Sequence, residues 1–374
     1  MNIRSHFVWL AALTPLSTLI CAAQKSSDTP PPGVAVAQSN EPFEKIFNQH
    51  ARDGFSGSVI VAKGDQILFS KGTGFADQAA KRLNDGQTAF CVGSITKLFT
   101  SIAILRLEQD GKLSVADTVS KFFIKAPKDK AGITIDQLLT HTAGLSDYID
   151  RPGENGDFTN ITKEEALSRV FSSKLLFTPG SSNRYSNSGY TLLAAIVERA
   201  SGTTYEKYLR NNIFAPADMT KTGFYGDHIW AGNVAAGVGA KKEADPNTPD
   251  KWPAPFWSLK GAGGVVSNPP DMLRLIRKLK EFKILNMAEV GKLFAGHARS
   301  EGGPAQEGYG WIATKTRAGD PLFNVAGGSD YGFRSVMLVL PTQDVVVYAS
   351  SNTAYVMRDM VLALVKAANG MKKS

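Results

Sequence analysis

Cysteine and histidine are scarce in this 374-residue sequence, which has two cysteines, Cys21 and Cys91, and five histidines. It contains no His-Glu-x-x-His segment and no paired Cys-x-x-Cys segments, the spacings that zinc sites commonly use. Two cysteines cannot build a disulfide framework, and Cys91 alone would remain if the N-terminus were removed. We therefore expect a fold that depends on its apolar core, with no zinc site.

Long apolar runs are also absent, except at the N-terminus. Residues 7–20 form an apolar run, and the small residues Cys21-Ala-Ala23 follow it. This order is typical of a cleaved export signal, so we predict a signal peptide over residues 1–23 and a periplasmic or secreted protein. Lipid anchoring at Cys21 is the alternative, but the bulky Ile20 stands where a small residue is expected. No later segment has about twenty consecutive apolar residues, so we predict no membrane span.

Charge of one sign is not concentrated anywhere. The sequence has 42 basic and 34 acidic residues, a formal net charge of +8, and the basic residues are dispersed. No basic stripe interleaved with aromatic residues is present, so a nucleic-acid partner is not indicated. With 43% hydrophobic residues, the composition is that of an ordinary globular protein.

The chain after the export signal divides into a short polar segment and one large domain. Residues 24–41 are polar, proline-rich and without periodicity, which predicts a flexible linker. Two β-rich runs then flank Lys63-Gly-Asp-Gln66, a pattern typical of a hairpin. Strand-like patterns return from Gly308 onwards, and mostly helical patterns lie between.

These patterns predict an α+β domain over residues 42–370. An antiparallel β-sheet would be formed by the N- and C-terminal segments and flanked by helices, with a mostly helical subdomain beside it. The α/β part would comprise residues 42–90 and 291–370, and the helical part residues 91–290. The first long helical pattern covers residues 90–110.

Ser94 and Lys97 stand three residues apart within that helical pattern. Residues at this spacing share one face of a helix, so the lysine amine can reach the serine hydroxyl. Serine is a weak nucleophile and needs a base, and a buried lysine can act as a neutral base because burial lowers its pKa. No Gly-x-Ser-x-Gly segment suggests a histidine triad instead. The alternative interpretation is a lysine on the protein surface.

Tyr185-Ser-Asn187 lies in a polar turn that leads into another helical pattern. A tyrosine close to a lysine can exchange protons as an acid or a base. Asn187 can both donate and accept hydrogen bonds, so it could hold a lysine ammonium group and a substrate carbonyl. The alternative interpretation is a turn in which Asn187 satisfies backbone groups.

Together, Ser94-Ile-Thr-Lys97 and Tyr185-Ser-Asn187 resemble the motifs of serine β-lactamase-like and penicillin-binding-protein-like hydrolases. That family includes class C β-lactamases, D,D-carboxypeptidases, D-aminopeptidases and family VIII esterases. Further stretches resemble it in the same order: LLTHTAGLSDY (138–148), TPGSSNRYSNSGYTLLAAIVERASGTTY (178–205), GAGGVVSNPPD (261–271), GYGW (308–311) and GSDYGFRS (328–335). The resemblance implies a β-lactamase/transpeptidase-like fold.

The resemblance also implies roles for matching residues. Ser94 would be acylated after Lys97 takes its proton, and Tyr185 would be the partner base and the later proton donor to the leaving group. Asn187 would orient the substrate. The oxyanion hole would consist of the backbone N–H groups of Ser94 and Ser329, and Gly328, a substrate-binding residue, would keep the close approach that a backbone donor requires. No cofactor would be needed.

The third motif departs from the family pattern of Lys-Thr-Gly or His-x-Gly. Counting back from Gly332-Phe333 places Ala326-Gly-Gly328 there, without a cation or a hydroxyl. A literal Lys221-Thr-Gly223 lies in an unsuitable loop. Arg334 or Lys260 could replace the missing cation, although a solvated surface role is the simpler expectation for both.

We therefore predict an exported serine hydrolase that cleaves ester or amide bonds of small molecules or peptides, with esters favoured because they need not carry a carboxylate. One alternative is a D,D-carboxypeptidase, D-aminopeptidase or β-lactamase acting on cell-wall peptides or β-lactams. The alternative from another class is a β-lactam- or peptidoglycan-binding sensor that does not turn over. The sequence leaves the oligomeric state open.

Overall fold

The computed structural model describes residues 40–148, 156–239, 246–300 and 303–370. The predicted signal peptide and residues 24–39 of the predicted linker lie outside these ranges. In the described part of the chain, no helix combines the length and apolarity needed to cross a membrane.

An antiparallel sheet of eight strands joins the two ends of the domain. Its order is β2-β1-β13-β12-β11-β10-β9-β8, so β1 pairs directly with the last strand, β13, and β2 pairs with β1 at the edge. A two-stranded sheet (β3-β4) and a three-stranded sheet (β5-β7-β6) lie outside it. The strands are β1 (Gly57–Lys63), β2 (Gln66–Thr73), β3 (Phe75–Asp77), β4 (Arg82–Leu83), β5 (Phe90–Cys91), β6 (Gly223–Phe224), β7 (Val265–Ser267), β8 (Ala298–Arg299), β9 (Gln306–Glu307), β10 (Ile312–Lys315), β11 (Pro321–Gly328), β12 (Arg334–Leu340) and β13 (Val345–Ser351).

Helices cover both faces of the large sheet. They are α1 (Glu41–Arg52), α2 (Thr96–Gln109), α3 (Val119–Phe122), α4 (Lys128–Ala131), α5 (Ile135–Leu139), α6 (Lys163–Ser172), α7 (Asn187–Ser201), α8 (Tyr205–Leu209), α9 (Pro269–Lys280), α10 (Met287–Leu293) and α11 (Arg358–Gly370). The terminal helices α1 and α11 pack with the sheet around one buried apolar cluster. The other face packs against α2, α7 and α9 in a larger cluster. This arrangement confirms the predicted α+β class and the sheet closed by the two chain ends.

Helix α2 is the central buried element of the molecule. Phe99, Ile102, Ala103 and Leu105 are all fully buried, so the helix is apolar on nearly every side rather than on one stripe. Burial on all sides is what a helix in the middle of a large protein requires. Because its N-terminus is fixed by this packing, the residues at its start are held rigidly against the sheet.

The predicted helix over residues 90–110 was wrong at its beginning. Phe90 and Cys91 form β5, which pairs with Ser267 and Val266 of β7. A one-turn 3-10 helix over Gly93–Ile95 then leads into α2. The local apolar pattern does not distinguish a buried strand from a buried helix, and pairing with a distant strand decided the outcome.

The upper half of β11 leaves one strand edge open to the start of α2. Strand β10 pairs only with residues 321–324 of β11, whereas β12 pairs along residues 323–328. The remaining edge, residues 325–328, lies against the 3-10 helix that contains Ser94. The fold therefore places a strand edge with unpaired backbone groups beside the candidate nucleophile.

Candidate active site

Ser94 lies in a tight turn that only glycine can introduce. Gly93 has φ +56°, and a Cβ there would lie 2.6 Å from the backbone nitrogen of Gly328. The Thr96 hydroxyl donates to the Gly93 carbonyl oxygen over 2.8 Å and fixes the turn. Ser94 is half-buried, and its position before α2 adds the partial positive charge of a helix N-terminus to its surroundings.

Lys97 lies one turn further along and is only 3% exposed. Its Nζ is 3.3 Å from the Ser94 Oγ, 2.7 Å from the Asn187 Oδ1 and 3.1 Å from the Ala262 carbonyl oxygen. Burial lowers the pKa of Lys97 from 10.5 to about 7, and the negative charges of Asp147 and Asp157 oppose that shift. A large fraction of the amine is therefore neutral near pH 7 and can accept a proton.

Tyr185 completes the contacts of the serine hydroxyl. Its OH donates to the Ser94 Oγ over 2.7 Å, and its ring centroid lies 4.6 Å from the Lys97 Nζ. Part of the ring faces solvent, but its hydroxyl packs against Ser94; this desolvation raises the pKa of Tyr185 above 10, and the Ser94 hydrogen bond opposes the rise. The resting phenol is therefore protonated, so Lys97 is the candidate base and Tyr185 a candidate proton donor.

His141 supports this arrangement and does not take part in it as a base. Its ring lies 4.7 Å from the Tyr185 ring and 5.2 Å from the Tyr190 ring, and its Nδ1 accepts the Ser186 N–H over 3.2 Å. Burial, and to a smaller extent the Lys97 charge, lower the pKa of His141 to about 3. The imidazole is thus neutral at physiological pH and acts as a packing surface for Tyr185.

Asn187 is the first residue of α7 and faces Lys97 through its Oδ1. The side-chain Nδ2 of Asn187 donates to the Asp147 Oδ2 over 3.1 Å. Asp147 lies in the stretch LLTHTAGLSDY, whose resemblance to the family assigned it no role. One signal could have identified Asp147: it is an acidic residue in a stretch that resembles the family. Its contact with Asn187, however, joins residues 40 positions apart in the sequence.

Gly327 and Gly328 of β11 both lie close to the nucleophile turn. A Cβ on Gly327 would overlap the Val92 carbonyl oxygen and lie 2.9 Å from the Ser94 nitrogen, whereas a Cβ on Gly328 would meet the Arg334 side chain. The backbone nitrogen of Gly328 would in turn lie 2.6 Å from a Cβ on Gly93. Both glycines therefore let β11 approach the turn closely, and Gly327 was not singled out from the sequence.

The structure does not place the Ser329 N–H, the predicted oxyanion donor, toward Ser94. The Ser329 N–H donates to the Phe333 carbonyl oxygen over 3.1 Å, so it points into the turn between β11 and β12. In an antiparallel pair of strands, hydrogen-bonded residue pairs alternate with pairs that are not hydrogen-bonded. Ser329 bonds to Phe333, so Gly328, opposite Arg334, directs its N–H away from β12, toward the open edge of β11 next to Gly93. The geometry makes Gly328, together with Ser94, the candidate pair of oxyanion donors. The exact offset could not be counted from the sequence because it depends on the length of that turn.

Neither cation suggested as a replacement at the third motif is directed at Ser94. Lys260 forms an ion pair with Glu206 over 2.6 Å and lies over the Trp257 ring. Arg334 donates through Nη1 to the carbonyl oxygens of Ser329 and Phe333, at 3.0 and 2.7 Å. Both side chains therefore serve structural contacts of their own.

Two other residues with possible chemistry lie in structural positions. The Cys91 thiol is buried against the Tyr225 hydroxyl at 2.9 Å, and burial raises its pKa to about 12, so it is not a reactive thiolate. The Nζ of Lys221, in the literal Lys-Thr-Gly, donates to the Ile229 carbonyl oxygen. Within the described ranges, no group of three or more His, Cys, Asp or Glu side chains could hold a metal ion.

Comparison with known proteins identifies the family of this chain. The Beta-lactamase family model matches residues 43–370, and the chain therefore belongs to the Beta-lactamase family, whose members are serine hydrolases and penicillin-binding proteins. It is 33% identical over 253 residues to PbpX of Bacillus subtilis (strain 168), which is named as a penicillin-binding protein. That match covers 67% of this chain but only 61% of the length of PbpX.

Solved structures give the same family and fold. A penicillin-binding protein from Bacillus halodurans is 28% identical, with a TM-score of 0.74, and the match covers 87% of this chain and 98% of that one. EstCE1, a hydrolase with promiscuous acyltransferase activity, has a TM-score of 0.73 over 88% of this chain and 99% of its own. At 23% identity, EstCE1 shows a shared fold only.

Proposed function

We propose that this protein hydrolyses ester or amide bonds through an acyl-enzyme on Ser94. One observation carries the proposal: the Ser94 Oγ lies 3.3 Å from the Lys97 Nζ and 2.7 Å from the Tyr185 OH. A hydroxyl that contacts both a neutral amine and a protonated phenol has a proton acceptor for attack and a proton donor for the leaving group. A solvated surface lysine would have neither the burial nor these partners.

The proposed reaction assigns one proton transfer to each side chain. Neutral Lys97 takes the Ser94 proton as the Oγ attacks the substrate carbonyl carbon. The N–H groups of Ser94 and Gly328 stabilise the resulting oxyanion, each donor contributing about 2.7–4 kcal/mol in the transition state. Tyr185 then protonates the leaving group and recovers a proton from the Lys97 ammonium. In the second half of the reaction, neutral Lys97 takes a proton from water as the water attacks the acyl carbonyl carbon. The Ser94 Oγ then leaves and is protonated, and the acid is released.

Neutral esters are the favoured substrates because the residues of the third motif carry no charge, and the nearby Arg334 guanidinium already donates to the carbonyl oxygens of Ser329 and Phe333. Residues 325–328 are Val, Ala, Gly and Gly, which provide neither a cation nor a hydroxyl. A carboxylate-bearing substrate would lack a charged hydrogen bond there, a loss of about 1.5–3 kcal/mol. The ion pair of Lys260 with Glu206 supports this preference, since that amine has a partner elsewhere.

A D,D-carboxypeptidase, D-aminopeptidase or β-lactamase activity is the second candidate. It is favoured by the similarity to PbpX and to the Bacillus halodurans protein, both named as penicillin-binding proteins. A sensor that is acylated and not hydrolysed is the third, since penicillin-binding proteins are named for binding. These candidates share Ser94 as nucleophile and differ in substrate and turnover.

Three substrates tested side by side distinguish the candidates. A chromogenic acetate ester, a chromogenic cephalosporin and a D-Ala-D-Ala peptide would each be incubated with the full-length protein and with Ser94→Ala. We expect the highest kcat/KM for the acetate ester and no turnover by the variant. Turnover of the peptide alone would refute the ester preference, and a stable adduct without turnover would favour the sensor. Equal turnover by Ser94→Ala would reject the serine mechanism itself.

We also propose that the protein is exported, on the basis of the apolar run and the small residues within residues 1–23. Fractionation of the native cells, followed by N-terminal sequencing, tests this point. A mature protein that begins at residue 24 is the expected result. A cytoplasmic protein that retains Met1 would contradict it.

A further inference from the structure

Asp147 binds the beginning of helix α7 with both carboxylate oxygens. Its Oδ1 accepts the N–H groups of Asn187 and Ser188 at 2.6 and 3.1 Å, and the Ser186 hydroxyl at 3.2 Å. A carboxylate at a helix N-terminus is favoured by the orphan N–H groups and by the helix dipole. The loop residue Asp147 is thereby fixed to the helix that begins at Asn187.

The second carboxylate oxygen determines which way the Asn187 amide faces. The Asp147 Oδ2 can only accept, so the Asn187 group that meets it, at 3.1 Å, is the NH₂ group. The amide oxygen must then face the opposite side, where the Lys97 Nζ donates to it at 2.7 Å. A neutral Asn at position 147 could present its own NH₂ group, and the Asn187 amide would lose this constraint.

The Asp147 charge also acts on the Lys97 ammonium. It is the larger of the two negative charges that oppose the effect of burial, and Asp157 is the other. The groups that face Lys97 from the surrounding elements are Ser94, Asp147, Asp157, His141, Tyr185, Asn187 and Tyr190. Of these groups, Asp147 has two effects on Lys97: its negative charge favours the ammonium form, and it hydrogen-bonds Asn187, which in turn accepts a hydrogen bond from Lys97.

We propose that Asp147 is a positioning residue of the active site, which orients the Asn187 amide toward Lys97 and sets the balance between the neutral and charged forms of the Lys97 amine. The kinetic part of this inference rests on the proposed hydrolase function. The titration of Lys97 does not, because it can be measured without turnover.

Asp147→Asn in the full-length protein tests the inference with two readouts. Lysine labelled with ¹³C at Cε gives the titration midpoint of Lys97 by NMR, assigned by the signal missing in Lys97→Ala. We expect the Asp147→Asn midpoint to lie below the wild-type value by about half a pH unit or more, because a stabilising negative charge is lost. We also expect kcat/KM for the acetate ester to fall by about ten- to a hundredfold.

Ser186→Ala is the matched control for a purely structural effect. It removes the hydroxyl that accepts the Gly189 N–H and donates to the Asp147 Oδ1, yet it keeps the Asp147 charge and both Asp147 contacts with Asn187. We expect its Lys97 midpoint to equal that of the wild type. An equal midpoint in Asp147→Asn, or the same shift in Ser186→Ala, would overturn the inference.

Asp147→Ser is the second variant if Asp147→Asn does not fold. A serine hydroxyl can still accept the backbone N–H groups of the helix end, but it carries no charge. The same downward change of the Lys97 midpoint is expected, and an unchanged midpoint would overturn the inference. Failure of the wild-type protein to hydrolyse any ester, amide or peptide would reject the proposed function and leave this titration result standing.

Discussion

The Tyr185 hydroxyl donates a hydrogen bond to the Ser94 Oγ over 2.7 Å, although the two residues are 91 positions apart in the sequence. Two independent helix beginnings create this contact. Ser94 precedes the buried helix α2, and Tyr185 immediately precedes the end of α7 that Asp147 holds. Because α2 and α7 also pack against each other in the core, the contact is a consequence of the fold.

The pH dependence of kcat/KM should follow the protonation of Lys97. Only the neutral amine can take the Ser94 proton, and the pKa of Lys97 is lowered to about 7. The rate of ester cleavage should therefore rise with pH, with a midpoint near 7, and level off above it. Initial rates at low substrate concentration, measured between pH 5 and pH 9, give this profile. That range brackets the Lys97 pKa of about 7.

Glu307→Gln is the control for that profile, because burial also raises the pKa of Glu307 to about 7. We expect the rising limb to persist in Glu307→Gln. Loss of the limb in this variant would assign it to the carboxyl group and contradict the role given to Lys97.

Tyr185→Phe should lower kcat for ester cleavage by about a hundred- to a thousandfold, because it removes the proton donor to the leaving group. Tyr190→Phe is the matched comparison. Its hydroxyl donates to the Leu139 carbonyl oxygen and has no contact with Ser94, so it should cost about 1 kcal/mol of stability and little activity. Equal kcat values for Tyr185→Phe and the wild type would show that the phenol is not needed.

Gly327→Ala should disrupt the contact between β11 and the nucleophile turn. The added methyl group would overlap the Val92 carbonyl oxygen, and backbone atoms would have to move at a cost of about 1–3 kcal/mol or more. Gly328→Ala adds the same methyl group one residue later, where it meets the flexible Arg334 side chain. We expect a lower Tm and a large loss of kcat in the first variant, and a small change of Tm in the second. Wild-type behaviour of Gly327→Ala would contradict the close approach described for it.

The sequence was informative where local chemistry determines structure. The hairpin around Lys63-Gly-Asp-Gln66 appears as β1 and β2, and the spacing of Ser94 and Lys97 does place them on one helical face. Phe90 was assigned to a helix because its apolar neighbours give no sign of the strand, β7, with which it pairs. A local sequence pattern does not show which distant strand a segment will pair with.

Backbone register was the second kind of information that the sequence could not provide. Counting residues placed the oxyanion donor at Ser329, but the turn after β11 directs that N–H to Phe333 and leaves Gly328 facing the nucleophile. A change of one residue in a strand reverses the direction of its N–H groups. Asp147 was missed for a related reason, since its importance comes from contacts with Asn187 and not from its neighbours.

Identification of the acylated residue tests the central claim most directly. Full-length protein would be mixed with the chromogenic acetate ester, quenched in acid within the first turnovers, digested, and examined by peptide mass spectrometry, with Ser94→Ala treated in parallel. The account predicts an acetyl group on Ser94 that disappears as the substrate is exhausted, and no adduct or hydrolysis in the variant. An acetyl group on another residue, or undiminished hydrolysis by Ser94→Ala, would contradict it.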